Sequence, residues 1–143
     1  MIIYQTLLSF DFGMRHIGVA SGQNVTGTAY PLNTITAKNG TPDWNKVNIL
    51  LEEWKPDRII VGLPLNMDGS EQMITIYTRK FSHCLYLRYN IPISLQDERL
   101  TTKEARAKLF DREGFKAFRK RNIDSIAAAI ILESWLEQDY ALS

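Results

Sequence analysis

Residues 8–22 read LSFDFGMRHIGVASG, and the fold turns on how this stretch is read. Two apolar runs flank the compact Gly13-Met14-Arg15-His16, so residues 6–12 are expected as a strand, 13–16 as a turn and 17–21 as a returning strand. A carboxylate, Asp11, stands in the first run between Phe10 and Phe12. A buried lone carboxylate is costly unless a cation or hydrogen-bond donors meet it. A strand interior gives an aspartate few structural reasons to be there. Asp11 is therefore the first candidate for chemistry.

Outward from this hairpin, Ala29 to Thr36 fits a third strand. The run Asn39-Gly40-Thr41-Pro42-Asp43 breaks the chain and starts a helix. In that helix Trp44, Val47, Leu50, Leu51 and Trp54 recur at helical spacing, and Pro56 ends it. Arg58 to Leu63 is a short, almost wholly apolar run suited to a strand buried on both faces. A helix over about 70–89 follows, with Cys84 read as core filler, and then a strand over Pro92 to Gln96. Thr101-Thr102-Lys103-Glu104 fits a capping box opening a short helix to Phe110. A last helix runs from near Ile123 to Leu136. The order β-β-β-α-β-α-β-α-α implies an α/β fold with a mixed five-stranded sheet flanked by helices, which matches the ribonuclease H-like architecture. Without repeats, low-complexity tracts or linkers, residues 1–143 are expected to form one domain.

Composition narrows the function classes. A single cysteine rules out a disulfide framework and a cysteine-based zinc site. No apolar run approaches the roughly 20 residues that span a bilayer, and the N-terminus lacks a secretory pattern, so a cytoplasmic protein with no membrane partner is expected. The net charge of +1 hides an asymmetry. Between Arg99 and Arg121 stand nine Lys or Arg and three acids, against eight and thirteen in the rest of the chain. Such a segment suits an anionic partner. Phenylalanines interleave with its cations in REGFKAFRKRN at 112–122, a pattern suited to phosphate contacts and base stacking.

Two further acids take unusual positions. Glu98 ends the strand ISLQDE, where ligands gather in parallel α/β sheets. Asp124 shares a helical face with Ala128, Ile131 and Trp135, in a first turn whose macrodipole favours negative charge. Each has a plain alternative, a solvent-facing glutamate or a complement to the helix terminus. Together, Asp11, Glu98 and Asp124 can converge in this topology. Converging carboxylates repel unless a cation neutralises them, and hard oxygen ligands point to one or two Mg²⁺ or Mn²⁺ ions.

Four stretches then carry a family resemblance: DFGMRHIGVA at 11–20, GLPLNMDGS at 62–70, DERLTT at 97–102 and IDSIAAAIILESWL at 123–136. They resemble, in order and over nearly the whole chain, the motifs of the YqgF family. Its members are described as nucleases of precursor 16S ribosomal RNA and formerly as Holliday junction resolvases. The resemblance implies a ribonuclease H-like fold and metal-dependent cleavage of a nucleic acid. It places catalytic, metal-ligating acids at Asp11, Glu98 and Asp124. It also implies 5′-end maturation of small-subunit ribosomal RNA, with the small-subunit precursor as partner and the protein a monomer or homodimer. Arg15, matching the family's arginine, has two readings, a phosphate contact or a structural ion pair. Arg99, Lys116, Arg119, Lys120 and Arg121 are the remaining expected nucleic-acid contacts.

Two alternatives to the RNA nuclease stay open: a resolvase acting on four-way DNA junctions, and a non-catalytic RNA-binding assembly factor. An ATP-binding module built on the same core needs two such domains. The run DFG, shared with protein kinases, has no glycine-rich loop or catalytic-loop motif beside it.

Overall fold

The computed structural model describes residues 4–100 and 123–142. The expected capping box at Thr101, the helix after it and the basic positions Lys116, Arg119, Lys120 and Arg121 lie outside the described residues.

Seven strands and three helices make up the described residues: β1 (Thr6–Asp11), β2 (His16–Gln23), β3 (Ala29–Pro31), β4 (Ile35–Lys38), β5 (Thr41–Pro42), α1 (Trp44–Trp54), β6 (Arg58–Leu63), α2 (Met73–Tyr89), β7 (Ile93–Asp97) and α3 (Ile123–Leu142). A 3-10 turn, Glu98–Leu100, follows β7 directly. The sheet runs β5-β4-β2-β1-β6-β7, with β3 also paired to β2. β1, β6 and β7 are mutually parallel, and the pairings among β1 to β5 are antiparallel. The architecture is the expected α/β fold with a mixed sheet.

The strand count differs from the expected five. The run expected as one strand over 29–36 is two, because it bulges. Ala20 pairs with Pro31 and Ile17 with Ile35, so three residues (32–34) oppose two (18–19). One extra residue in one strand is a β-bulge, which bends the ladder and leaves groups unpaired. Asn39 and Gly40, both at positive φ, turn the chain into the added two-residue β5.

Strand periodicity sorts β1 between two cores. Leu8 and Phe10 join Ile17, Val19, Val47, Leu51, Val61, Phe81 and Leu85 beneath α1 and α2. Leu7 faces the other way and packs with Ala20, Ile60, Ala128, Ile131 and Leu132 beneath α3. Ser9, on the same side as Leu7, donates its hydroxyl to the Ala128 carbonyl at 2.7 Å. Period two therefore turns Asp11 toward the α3 side as well.

Cys84 does not fill the core as expected. It is exposed, while its α2 neighbours Phe81, Ser82 and Leu85 are buried. No helix among the described residues is long and apolar enough to cross a membrane.

Candidate active site

Parallel pairing of β1, β6 and β7 brings their carboxyl ends to one end of the sheet. Asp11 closes β1, and Glu98 opens the 3-10 turn after β7. β6 lies between these strands and contributes Gly62, opposite Gln96. A Cβ on Gly62 would lie 3.0 Å from Glu98 Oε1 and 2.4 Å from Ile131 Cδ1. The glycine is thus the gap through which Glu98 reaches across β6.

Asp124 arrives from the other side. Asp11 pairs with Gly18 in the β1–β2 ladder. A Cβ on Gly18 would stand 1.9 Å from the Asp124 carbonyl oxygen. Only a glycine opposite Asp11 allows the first turn of α3 to lie this close. The bulge helps, because Ser125 Oγ accepts the Val19 N–H at 3.1 Å at that irregularity. Farther along, Glu133 accepts the Ala29 N–H at 3.0 Å, and Gln96 Nε2 donates to Ser134 Oγ at 3.2 Å. These buried contacts set the depth of α3 on the sheet.

Electrostatics record the crowding. Burial pushes the Asp11 carboxyl up to about 8, and the neighbouring Glu98 charge, a hydrogen bond to Glu98 and the Asp124 charge add to the rise. Glu98 is also raised, chiefly by burial, with its hydrogen bond to Asp11 opposing and the Asp97 charge adding. Asp11 and Glu98 are therefore both harder to ionise than ordinary carboxyls and behave as a pair that shares a proton. Asp97 moves the other way: its hydrogen bonds to Arg99 hold it below the usual carboxylate range despite some desolvation.

Whether these residues suit a hard divalent cation can be judged from their donors. Two half-buried carboxylates that retain a proton for want of a counter-charge are the oxygen donors such an ion takes. Among the described residues, no three His, Cys, Asp or Glu side chains are grouped closely enough to hold a metal ion. Asp11 and Glu98 are in contact, whereas Asp124 acts on Asp11 through its charge. The donor chemistry fits a cation at the pair.

Of the expected cationic contacts, Arg15 is exposed in the turn just before β2, four residues beyond Asp11, and has no carboxylate partner among the described residues. Its backbone is fixed: Ala37 N–H donates to the Arg15 carbonyl at 2.7 Å, and Gly40 N–H to the Met14 carbonyl at 3.0 Å. Arg99 is engaged in the fold. Its Nη2 lies 2.7 Å from Asp97 Oδ2. Asn66 and Ser70 belong to a tight turn, with Asn66 Nδ2 donating to Ser70 Oγ at 2.9 Å. A cleft of about 330 Å³ between α1 and the bulge, walled by Leu32, Leu50 and Trp54, takes in none of the three acids.

The sequence reading missed Gly18, Ser125 and the Asp97–Arg99 pair. A legible signal existed for the first: Gly18, Ala20 and Gly22 place small residues at every second position of β2, the pattern of a strand that another element approaches closely.

Known proteins resemble this chain in sequence and in fold. Residues 5–138 match the family model described as RuvX, Holliday junction resolvase. A protein of Photorhabdus laumondii is 55% identical over 136 residues, covering 95% of this chain and 98% of its own. One of Escherichia coli O157:H7 is 57% identical over 135 residues, covering 94% and 98%. Both are described as "Putative pre-16S rRNA nuclease". Among solved structures, Thermus thermophilus RuvC in complex with a Holliday junction substrate aligns over 94% of this chain and 96% of its own, with a TM-score of 0.62. Its 15% sequence identity makes that a likeness of fold.

Proposed function

This chain belongs to the RuvX family of Holliday junction resolvases, and from that membership we propose that it is a metal-dependent nuclease that hydrolyses phosphodiester bonds in the precursor of 16S ribosomal RNA. The observation that carries the chemistry is the Asp11–Glu98 pair, two carboxyls in hydrogen-bond contact at the carboxyl end of the sheet with the Asp124 charge beside them. The substrate rests on relatives more than half identical that bear the precursor-rRNA name.

Asp11 and Glu98 would hold Mg²⁺ or Mn²⁺, with Asp124 completing the acidic set. Such an ion supplies Lewis-acid polarisation of the phosphate and offsets charge that builds up during cleavage. The chain's own residues do the rest. Asp11 and Glu98 would release the proton they share to solvent on holding such an ion. Arg15, on a backbone pinned by the β4–β5 hairpin, offers an exposed guanidinium to a phosphate at the same end of the sheet. Lys116, Arg119, Lys120 and Arg121 supply backbone-neutralising charge just before Asp124 in sequence. The small-subunit precursor would be met in the cytoplasm.

A second reading keeps the chemistry and changes the substrate to a four-way DNA junction, the activity for which the family is described. Cleavage of a labelled 16S leader stem-loop and of a junction DNA, by wild type and by Asp11→Asn in Mg²⁺, tests both. The RNA is expected to be cut and Asp11→Asn to lose cleavage by at least about a hundredfold while binding RNA normally. Junction cutting with inert RNA would transfer the assignment to DNA. Unchanged cleavage by folded Asp11→Asn would overturn the mechanism.

A further inference from the structure

Arg99 stands next to Glu98 in a strongly basic segment, which makes a phosphate contact its expected role. Its surroundings assign it other work. Nε lies 3.1 Å from each Asp97 carboxylate oxygen, and Nη2 lies 2.7 Å from Oδ2. The Arg99 N–H donates to Asp97 Oδ1 at 2.9 Å, so both side chain and backbone are tied to the residue two positions back. Nη1 crosses to the Met67 carbonyl at 3.2 Å.

That carbonyl belongs to a turn with little freedom of its own. Leu65 and Glu71 form an isolated bridge at its base. Asn66 N–H donates to the Ser70 carbonyl at 2.9 Å and Gly69 N–H to the Asn66 carbonyl at 2.8 Å. Asp68 Oδ1 accepts from both the Ser70 N–H at 2.9 Å and the Ser70 hydroxyl at 2.6 Å. Gly69 holds φ at +89°, and a Cβ there would come within 3.4 Å of Arg99 Nη1. The turn follows β6, whose last residue, Leu63, pairs with Asp97. One guanidinium thus ties together the ends of two neighbouring strands, and Glu98 sits between its two anchored neighbours.

We propose that Arg99 is a positioning residue: with Asp97 and the Met67 carbonyl it clamps the Asn66–Ser70 turn to the end of β7 and so holds Glu98 over Gly62, against Asp11. The fork that would grip a phosphate bidentately is spent on Asp97, and that carboxylate neutralises the guanidinium's charge. The same pairing withholds Asp97 from the acidic set beside it. The clamp rests on the nuclease reading for its purpose, and on the hydrogen bonds for its existence.

Arg99→Ala, Arg99→Lys, Asp97→Asn and the double variant Asp97→Asn/Arg99→Ala separate the roles. Three quantities are read: kcat on the leader stem-loop, Mn²⁺ affinity by calorimetry, and the slope of log K against log[salt] for binding that RNA without divalent ions. Outer residues that orient a ligand set generally change activity or metal affinity by about 10–100-fold. A clamp predicts losses of that size in kcat and in Mn²⁺ affinity for both single alanine and asparagine variants. It predicts no further loss in the double variant, no rescue by lysine, which lacks the fork, and an unchanged salt slope. A phosphate contact predicts weaker RNA binding, a salt slope shallower by about one, intact kcat and rescue by lysine. That second pattern, or a silent Asp97→Asn, overturns the proposal. Should Arg99→Ala misfold, the milder Asp97→Asn decides alone. If wild type cuts neither RNA nor junction DNA, the nuclease reading fails while Mn²⁺ affinity still tests the clamp.

Discussion

Asp11 ends a buried strand with a carboxyl that resists ionisation, and this has a measurable consequence in the metal-free protein. An acid at about 8 in the folded state and 3.8 as its ordinary value leaves the folded chain with more bound protons between those limits. Stability then falls as pH rises through that window and levels off above it. Glu98 shifts in the same sense. Calorimetric melting of the protein in chelator is expected to give a falling Tm from pH 5 to 8, with the fall reduced in Asp11→Asn. Identical pH profiles for the two proteins would show that Asp11 carries no such burden. Asp97 and Asp68, both depressed, act in the other direction at lower pH: the stability they add above the ordinary carboxylate range is lost as pH drops through their folded values. Asp11, Glu98 and Asp124 were all legible as residues, because a charge in an apolar pattern or at the end of an element stands out. The Asp97–Arg99 pair was not. In sequence an acid and an arginine two apart at a strand end read as ordinary surface, and only the folded turn reveals the Met67 carbonyl as third partner.

At the scale of elements, the site depends on how closely α3 lies on the sheet. Gly18, Ala20 and Gly22 form a stripe of small residues on β2, and α3 answers with Ser125, Ala128 and Ala129, all buried. Gly18→Ala would drive a methyl into the Asp124 carbonyl, a backbone group that cannot turn aside. A loss of about 1–3 kcal/mol in urea unfolding is expected, the usual range for overpacking. Cleavage should fall with it, because relief requires the Asp124 turn to move. Gly62→Ala meets the flexible end of Ile131 and Glu98 Oε1 instead. It should cost less stability than Gly18→Ala and still impair cleavage by displacing Glu98. Equal stability loss in the two variants would contradict this division. The three described helices and most strands are readable from hydrophobic spacing, but the bulge at 32–34 is not. Its cause is register against β2, a long-range fact, while residues 29–36 are locally ordinary strand formers.

Among the described residues, three parallel strands end at one edge of the fold, where Asp11 and Glu98 are in contact, and one helix closes from the side with the Asp124 charge. The element order named this architecture because antiparallel β1–β2 followed by alternating helices and strands leaves few arrangements. The expectation of five strands erred only where one strand bulged and a two-residue strand was added. Charge is distributed to match: acids on the sheet end, cations gathered in the sequence just before Asp124. On the proposed reading, a protein that holds a polyanion against an acidic centre uses both, and a cation at the centre would make it compatible with phosphate. The direct measurement is therefore calorimetric titration of Mn²⁺ into the chelator-freed protein at pH 7.5, in wild type and in Asp11→Asn. Saturable binding with proton release by wild type, lost or weakened at least about tenfold in the variant, is the predicted result. No binding by wild type, or equal binding by a folded Asp11→Asn, would contradict the claim that this carboxylate pair is the centre of the site.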